Sequence, residues 1–240
     1  QGHFSLVIQH CQKFIGQFPD AFIIWNILGA ANKGLGRVEE ASKAFMKVVK
    51  LDPTYADGYN NLGVALQEQG KFEDALVAYK KAISIKPNYA EAYNNLGNTL
   101  LEQGEPAGAI SSYKKAISID SNYAEANYNM GFALSSINKP EEAIVAYNNA
   151  ISMKPNYSEA YCNLGNAYKE IGKLDEAIDF YRNAISINPN YAQVYNNLGK
   201  VFQEQAKLES AMEAYKKATS LKLEYSEAWT NGAEALEKWN

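Results

Sequence analysis

The stretch PNYAEAYNNLG, from Pro87 to Gly97, returns as PNYSEAYCNLG from Pro155 to Gly165 and as PNYAQVYNNLG from Pro189 to Gly199. Tyr55, Tyr89, Tyr123, Tyr157, Tyr191 and Tyr225 follow one another at a constant step of 34 residues, as do Gly29, Gly63, Gly97, Gly131, Gly165 and Gly199. A fixed period of this length marks an array of stacked supersecondary units, each of which buries its apolar face only against its neighbours. Length alone, 240 residues, would suggest one or two globular domains. The period overrides that expectation.

With each unit numbered from 1 to 34, six complete units occupy 22–55, 56–89, 90–123, 124–157, 158–191 and 192–225. Residues 1–21 read as the second half of an earlier unit, since Pro19 stands where Pro53 and Pro87 stand, and 226–240 read as the first half of a further one. No linker interrupts the array.

Each unit reads as two helices. AEAYNNLGNTLLEQ in the third unit is dense in good helix formers and ends at Gly104, a residue suited to a left-handed C-terminal position. PAGAISSYKKAISI follows, with Pro106 near the first helical position, where its missing N–H costs least. Pro53, Pro87, Pro155 and Pro189 close the second helices, because the residue before proline is pushed out of the α region. No run alternates with period two long enough to read as a strand, so the class is all-α, with about fourteen helices.

At about 100° per residue, positions 4, 7, 8 and 11 of the first helix share a face; in the third unit these are Tyr93, Leu96, Gly97 and Leu100. The second helix offers Ala109, Tyr113 and Ala116 at positions 20, 24 and 27. Small residues let the two backbones approach, and the aromatic side chains fill the space between them. This stripe is core, not a cofactor platform.

Tyr or Trp at 4, Leu at 7, Gly at 8, a large apolar residue at 11, Ala at 20, Tyr or Phe at 24, Ala at 27 and Pro at 32 is a pattern that resembles the tetratricopeptide repeat over nearly the whole chain. Departures such as Val48 at 27, Asn127 at 4, Ser121 and Leu223 at 32, and Ala206 for the glycine at 15 touch single contacts. The resemblance implies a right-handed α-solenoid, a superhelix whose first helices line a concave groove that holds an extended or helical polypeptide.

Positions 2, 5, 6, 9 and 13 lie together on the face opposite the core stripe. Position 6 is Asn61, Asn95, Asn129, Asn163, Asn197 and Asn231. Asparagine is a mediocre helix former, so six at one helical position point to a role beyond propensity. A carboxamide both donates and accepts, and so grips a peptide bond whatever side chains flank it; the competing reading is that each asparagine bonds its own neighbouring repeat. The ladder is similar to that of enzymes that transfer N-acetylglucosamine to protein serines and threonines, a resemblance confined to the repeats, and it implies that the ladder holds a polypeptide.

Acids line the same face: Asp57, Glu91, Glu125 and Glu159 at position 2, joined by Glu227, and Glu68, Glu102, Glu170 and Glu204 at position 13. Lysines such as Lys80, Lys81, Lys114, Lys115, Lys216 and Lys217 gather at positions 25 and 26 of the second helices. An acidic groove attracts basic segments. Co-chaperone repeats of the same family grip a carboxylate with basic residues at positions 2, 5 and 6, where this chain has Glu91, Asn94 and Asn95, so that mode is not expected. Nucleic acid is disfavoured too, because phosphate binding needs clustered Lys and Arg and the net charge is −4.

No phosphate loop, nucleophile elbow or metal motif appears, and no cofactor is expected. His3 and His10 beside Cys11 fall short of a ligand set. Cys11 occupies core position 24 and Cys162 groove position 5, too far apart in the array for a disulfide; unpaired thiols point to a reducing, cytoplasm-like compartment. No apolar run is long enough to span a membrane. The sequence therefore reads as a non-catalytic scaffold for a protein or peptide of basic character. Two alternatives stand beside it. One is the substrate-recruiting arm of a larger enzyme, a glycosyltransferase, sulfotransferase or oxygenase. The other is self-assembly through the ends, where Trp229, Leu236 and Trp239 on one side and Leu6, Val7, Phe14 and Ile15 on the other lack a covering helix.

Overall fold

The computed structural model describes residues 2–239, and among them are fourteen α-helices and no strand. The first helices of the repeats are α2 (Phe22–Gly34), α4 (Ala56–Glu68), α6 (Ala90–Glu102), α8 (Ala124–Ser136), α10 (Ser158–Glu170) and α12 (Ala192–Glu204). Their second helices are α3 (Val38–Leu51), α5 (Phe72–Ile85), α7 (Pro106–Ile119), α9 (Pro140–Met153), α11 (Leu174–Ile187) and α13 (Leu208–Leu221). Helix α1 (Gly2–Gln17) precedes them and α14 (Ser226–Trp239) follows. The chain is an all-α solenoid, and its contacts gather into two compact units, residues 1–121 and 122–240. Sequence reading saw no such division; it falls at Ser121, one of the positions where the loop lacks its usual proline.

Within residues 1–121, α1 to α7 pack in chain order, and α2, α4 and α6 also touch one another in succession. Helices α8 to α14 do the same within residues 122–240, where α8, α10, α12 and α14 form the row of first helices. The turn inside each repeat needs a left-handed residue. Gly36, Gly70, Gly104 and Gly172 supply it with φ of 72–77°, and a Cβ on any of them would meet nothing within 4 Å. Backbone conformation alone therefore selects glycine there. Asn138 and Ala206 hold the same conformation at φ 59° and 58°, the asparagine at lower cost than the alanine.

Inside a repeat the two helices interlock through one aromatic ring. A Cβ placed on Gly97 would lie 2.5 Å from Cε1 of Tyr113, and one on Gly63, Gly131, Gly165 or Gly199 would lie 2.5–2.7 Å from Tyr79, Tyr147, Tyr181 or Tyr215. Those five tyrosines are the largest fully buried or nearly fully buried side chains of the fold. Their hydroxyls pass through the core to polar groups on the far side of their own first helix. Tyr79 and Tyr215 donate to Oε1 of Gln67 and Gln203 at position 12, at 3.0 and 2.9 Å. Tyr113 and Tyr181 donate to Oδ1 of Asn98 and Asn166 at position 9, at 2.8 and 2.7 Å. A buried phenol needs such a partner.

Among the described residues no second helix packs over α14. Trp229, Leu236 and Trp239 are each about half exposed, and an apolar hollow of about 530 Å³ opens between α13 and α14, walled by Met212, Tyr215, Trp229 and Leu236. On α1, Leu6 and Phe14 are exposed as expected. Val7 and Ile15 are not: both pack onto the cluster of Ile8, Cys11, Leu28, Ala31 and Ala44, because α2 covers that side of α1.

Replacing Gly97 by Ala should destabilise the fold by about 1–3 kcal/mol, the usual cost of overpacking. Ala206→Gly should stabilise it by about 1 kcal/mol by relieving a left-handed alanine. Urea unfolding of each variant against the parent checks both signs. Desolvation raises the pKa of the Tyr79, Tyr147, Tyr181 and Tyr215 hydroxyls above the ordinary tyrosine value. The unfolded chain therefore ionises first, so stability is full below the ordinary tyrosine pKa of about 10 and falls as pH rises beyond it. Thermal midpoints that stay level from pH 9 to 11.5 would contradict this.

Candidate functional site

In each unit the first helices, with α14, carry the asparagines of position 6 and the acids of positions 2 and 13, and the structure joins many of them across repeats. Asn95 donates Nδ2 to Oδ1 of Asn60 at 3.1 Å, and Asn61 does the same to Asn26 at 3.1 Å. In the second unit Asn231 donates to Asn196 at 3.0 Å, Asn163 to the hydroxyl of Tyr128 at 3.1 Å, and Asn197 to Sγ of Cys162 at 3.9 Å. Each bond runs from position 6 of one repeat to position 5 of the repeat before it. Asn129 shares the half-buried setting of the other position 6 residues.

Position 5 is therefore not on the open face. Asn60, Asn94 and Asn196 are buried, and so is Cys162, which packs with Tyr181 and Leu198 in the core. The correction has a geometric cause: the first helix of the next repeat lies over that flank. Desolvation pushes the Cys162 thiol up to about 12, against the lowering effect of Tyr191 and Asn197, in keeping with its place in the core. Cys11 is likewise free and buried.

A second set of bonds crosses the repeats nearer the turn, from position 12 to position 13 of the next repeat. Lys33 faces Glu68 at 3.9 Å, Gln67 Nε2 donates to Glu102 at 3.2 Å, and Lys169 pairs with Glu204 at 2.8 Å. Lys200 pairs with Glu227. The acids of this face thus have cations among them, Lys33 in the first unit and Lys169 and Lys200 in the second. At position 2, Glu91 accepts from Asn60 Nδ2 at 3.1 Å and Glu159 accepts from Ser158 Oγ at 3.0 Å. Glu91, Glu125 and Glu159 are exposed and Asp57 is half-buried.

Shallow hollows lie along the first helices of each unit. One of about 270 Å³ in the first unit is lined by Val64, Gln67, Glu68, Asn95, Asn98 and Glu102, and another of about 320 Å³ by Ala30, Lys33, Gly34, Phe45 and Asn61. In the second unit a hollow of about 320 Å³ is lined by Asn166, Lys169, Glu170, Tyr181, Gln193, Asn197, Lys200, Tyr225 and Glu227. These volumes suit single side chains of a larger ligand. Among the described residues no group of three or more His, Cys, Asp and Glu is placed to hold a metal ion. No helix among them is long and apolar enough to cross a membrane.

Comparison with known proteins accords with this architecture. The family model described as TPR repeat matches residues 31–70, 68–104, 97–138, 136–172 and 165–206, and the model described as tetratricopeptide repeat matches 192–225. The crystal structure of MamA is similar at 33% identity and a TM-score of 0.65, covering 69% of this chain and 96% of MamA. YrrB, a TPR protein with an unusual peptide-binding site, is similar at 25% identity and a TM-score of 0.66, over 79% of this chain and 98% of its own. A chain of the Cut9–Hcn1 hetero-tetramer of the APC/C shares the fold at 17% identity and a TM-score of 0.79; the match covers 98% of this chain but only 46% of that one. A search of curated protein sequences finds no match.

Removing the Asn95 side chain orphans Oδ1 of Asn60, a buried acceptor. Asn95→Ala should cost about 1–3 kcal/mol, the usual penalty for an unsatisfied buried group. Asn61→Ala, whose acceptor Asn26 is only half-buried, should cost less. Equal losses in denaturant unfolding would show that the inter-repeat bonds contribute nothing specific.

Proposed function

This chain belongs to the tetratricopeptide repeat family, and from that premise we propose that it is a non-catalytic scaffold that holds an extended or helical polypeptide on the first helices of its repeats. The observation that carries the reading is the asparagine ladder. Five of its members, Asn61, Asn95, Asn163, Asn197 and Asn231, donate Nδ2 to the preceding repeat. A carboxamide has two amide hydrogens and an acceptor oxygen, so a member with one bond to the neighbouring repeat keeps the means to pair with a peptide bond, while Asn197, which also donates to Asn166, keeps its Oδ1. The internal bond also fixes the side chain's rotamer, which lowers the entropy lost when a ligand arrives. Asn61, Asn95 and Asn197 line the hollows of the face.

Asn129 extends the ladder, and Asp57, Glu91, Glu125 and Glu159 give it an acidic border that favours basic segments. The similarity to YrrB, a TPR protein with an unusual peptide-binding site, supports a peptide as the ligand.

Replacing Asn95, Asn163 and Asn197 together by Ala should weaken a blocked Lys/Ser-rich peptide by roughly 1.5–4.5 kcal/mol, three bonds at about 0.5–1.5 each. Fluorescence anisotropy measures the loss, with circular dichroism confirming that the variant stays folded. Affinity should also decline as salt rises. Unchanged affinity in the triple variant would make the asparagines structural only.

The apolar hollow beside Trp229 and Leu236 favours a second reading, association through α14. Burying one such side chain stabilises by about 1.5–3 kcal/mol. Sedimentation should then show mass rising with concentration, and a strict monomer would reject it.

A further inference from the structure

Two repeats place the same pair of groups differently. In the first unit the buried Asn60 accepts from Asn95 through Oδ1 and donates its own Nδ2 to Oε1 of Glu91 at 3.1 Å. In the second unit the equivalent Asn196 is fully buried and accepts from Asn231 at 3.0 Å, but its Nδ2 has no partner. Glu227 stands where Glu91 stands, and it is ion-paired with Lys200 instead. The difference traces to position 9 of the repeat, which is Val64 in the first case and Lys200 in the second. A lysine at that place draws the acid of the next repeat away from the buried amide.

The hydrogen bond to Lys200 holds the Glu227 carboxyl below its ordinary range, with smaller contributions from Asn196 and Tyr225. The amide lies near enough to help lower the carboxyl, but its Nδ2 makes no hydrogen bond of proper geometry there. Lys200 and Glu227 open onto the hollow that Lys169, Gln193, Asn197 and Tyr225 also line. Gln193 occupies position 2, where Asp57, Glu91, Glu125 and Glu159 put an acid in other repeats. Glu170 and Glu227 are the acids of the wall, and Lys169 is held by Glu204, so an entering anion can reach an ammonium group only by replacing Glu227 on Lys200.

We propose that this hollow is a subsite for an acidic side chain of the bound polypeptide, whose carboxylate replaces Glu227 on Lys200 while Glu227 turns back to the Asn196 amide, as Glu91 does to Asn60. The proposal rests on the polypeptide-binding reading of this face. Its driving force is a balance of bonds. One ion pair is exchanged for another of the same kind, and a buried N–H gains the partner it lacks, which removes a desolvation penalty. A basic ligand side chain would take Glu227 and leave both Lys200 and Asn196 without partners. Lys200 is thus the specificity-determining residue of the subsite.

Three peptides, acetylated and amidated and differing only in a central Glu-Glu, Gln-Gln or Lys-Lys pair, test this on the full chain by fluorescence anisotropy. The Glu peptide should bind at least about threefold tighter than the Gln peptide, the scale of a partly exposed ion pair. Lys200→Gln should abolish that preference and Lys200→Arg should keep it. The Asn196 side-chain amide signals should move on binding of the Glu peptide alone in ¹⁵N spectra. The Lys peptide reports the acidic border of the face as a whole; a Gln peptide that binds as tightly as the Glu peptide or tighter, a Glu-over-Gln preference that survives Lys200→Gln, or unmoved Asn196 signals would overturn the subsite. Equal binding of all three peptides would overturn it while leaving the polypeptide-binding reading in place, and binding of none would remove both.

Discussion

The aromatic ring at position 24 lies against the backbone of its own first helix, in the space that a Cβ at position 8 would occupy. That contact sets how closely the two helices of a repeat approach, and it leaves glycine as the residue that fits opposite Tyr79, Tyr113, Tyr147, Tyr181 and Tyr215. The same rings reach through the core to fix the polar groups at positions 9 and 12. Core packing and the arrangement of polar groups on the open side of the first helix are therefore set by one side chain. In the first repeat the ring is Phe45, which has no hydroxyl to offer, and Lys33 at position 12 makes only a long contact to Glu68.

Stability and the proposed recognition share atoms on the first helices. The amide of Asn95 holds Asn60 and lines a hollow of the face. Asn197 holds Asn166 and approaches Cys162 while it lines another. A substitution that weakens binding at such a residue also loosens the joint between two repeats. The two effects separate only when unfolding and binding are measured on the same variant.

Much of this was legible in the sequence, because a period of 34 residues makes each repeat a control for the others. The interlock of positions 8 and 24 followed from the recurring glycine and tyrosine, and the left-handed turn followed from Gly104 and its equivalents. The placement of position 5 did not. A helical wheel treats one helix in isolation, and by that reckoning Asn94 and Cys162 fall on the open face; the neighbouring first helix buries them. The half-burial of Val7 and Ile15 escaped for the same reason. Nor could spacing show that Lys169 and Lys200 reach the acids of the next repeat, since that depends on how far each lysine extends.

The joint between repeats has a consequence for how such a chain grows. Each bond links position 6 of one repeat to position 5 of the one before, and nearly every repeat carries both halves of the connection. A duplicated gene segment of one period therefore arrives with its own plug and its own socket, and can be inserted without any compensating change elsewhere. Once inserted, the socket is free to drift while the plug stays. Tyr128 and Cys162 stand in sockets where the other complete repeats have asparagine, yet Asn163 and Asn197 still turn toward them.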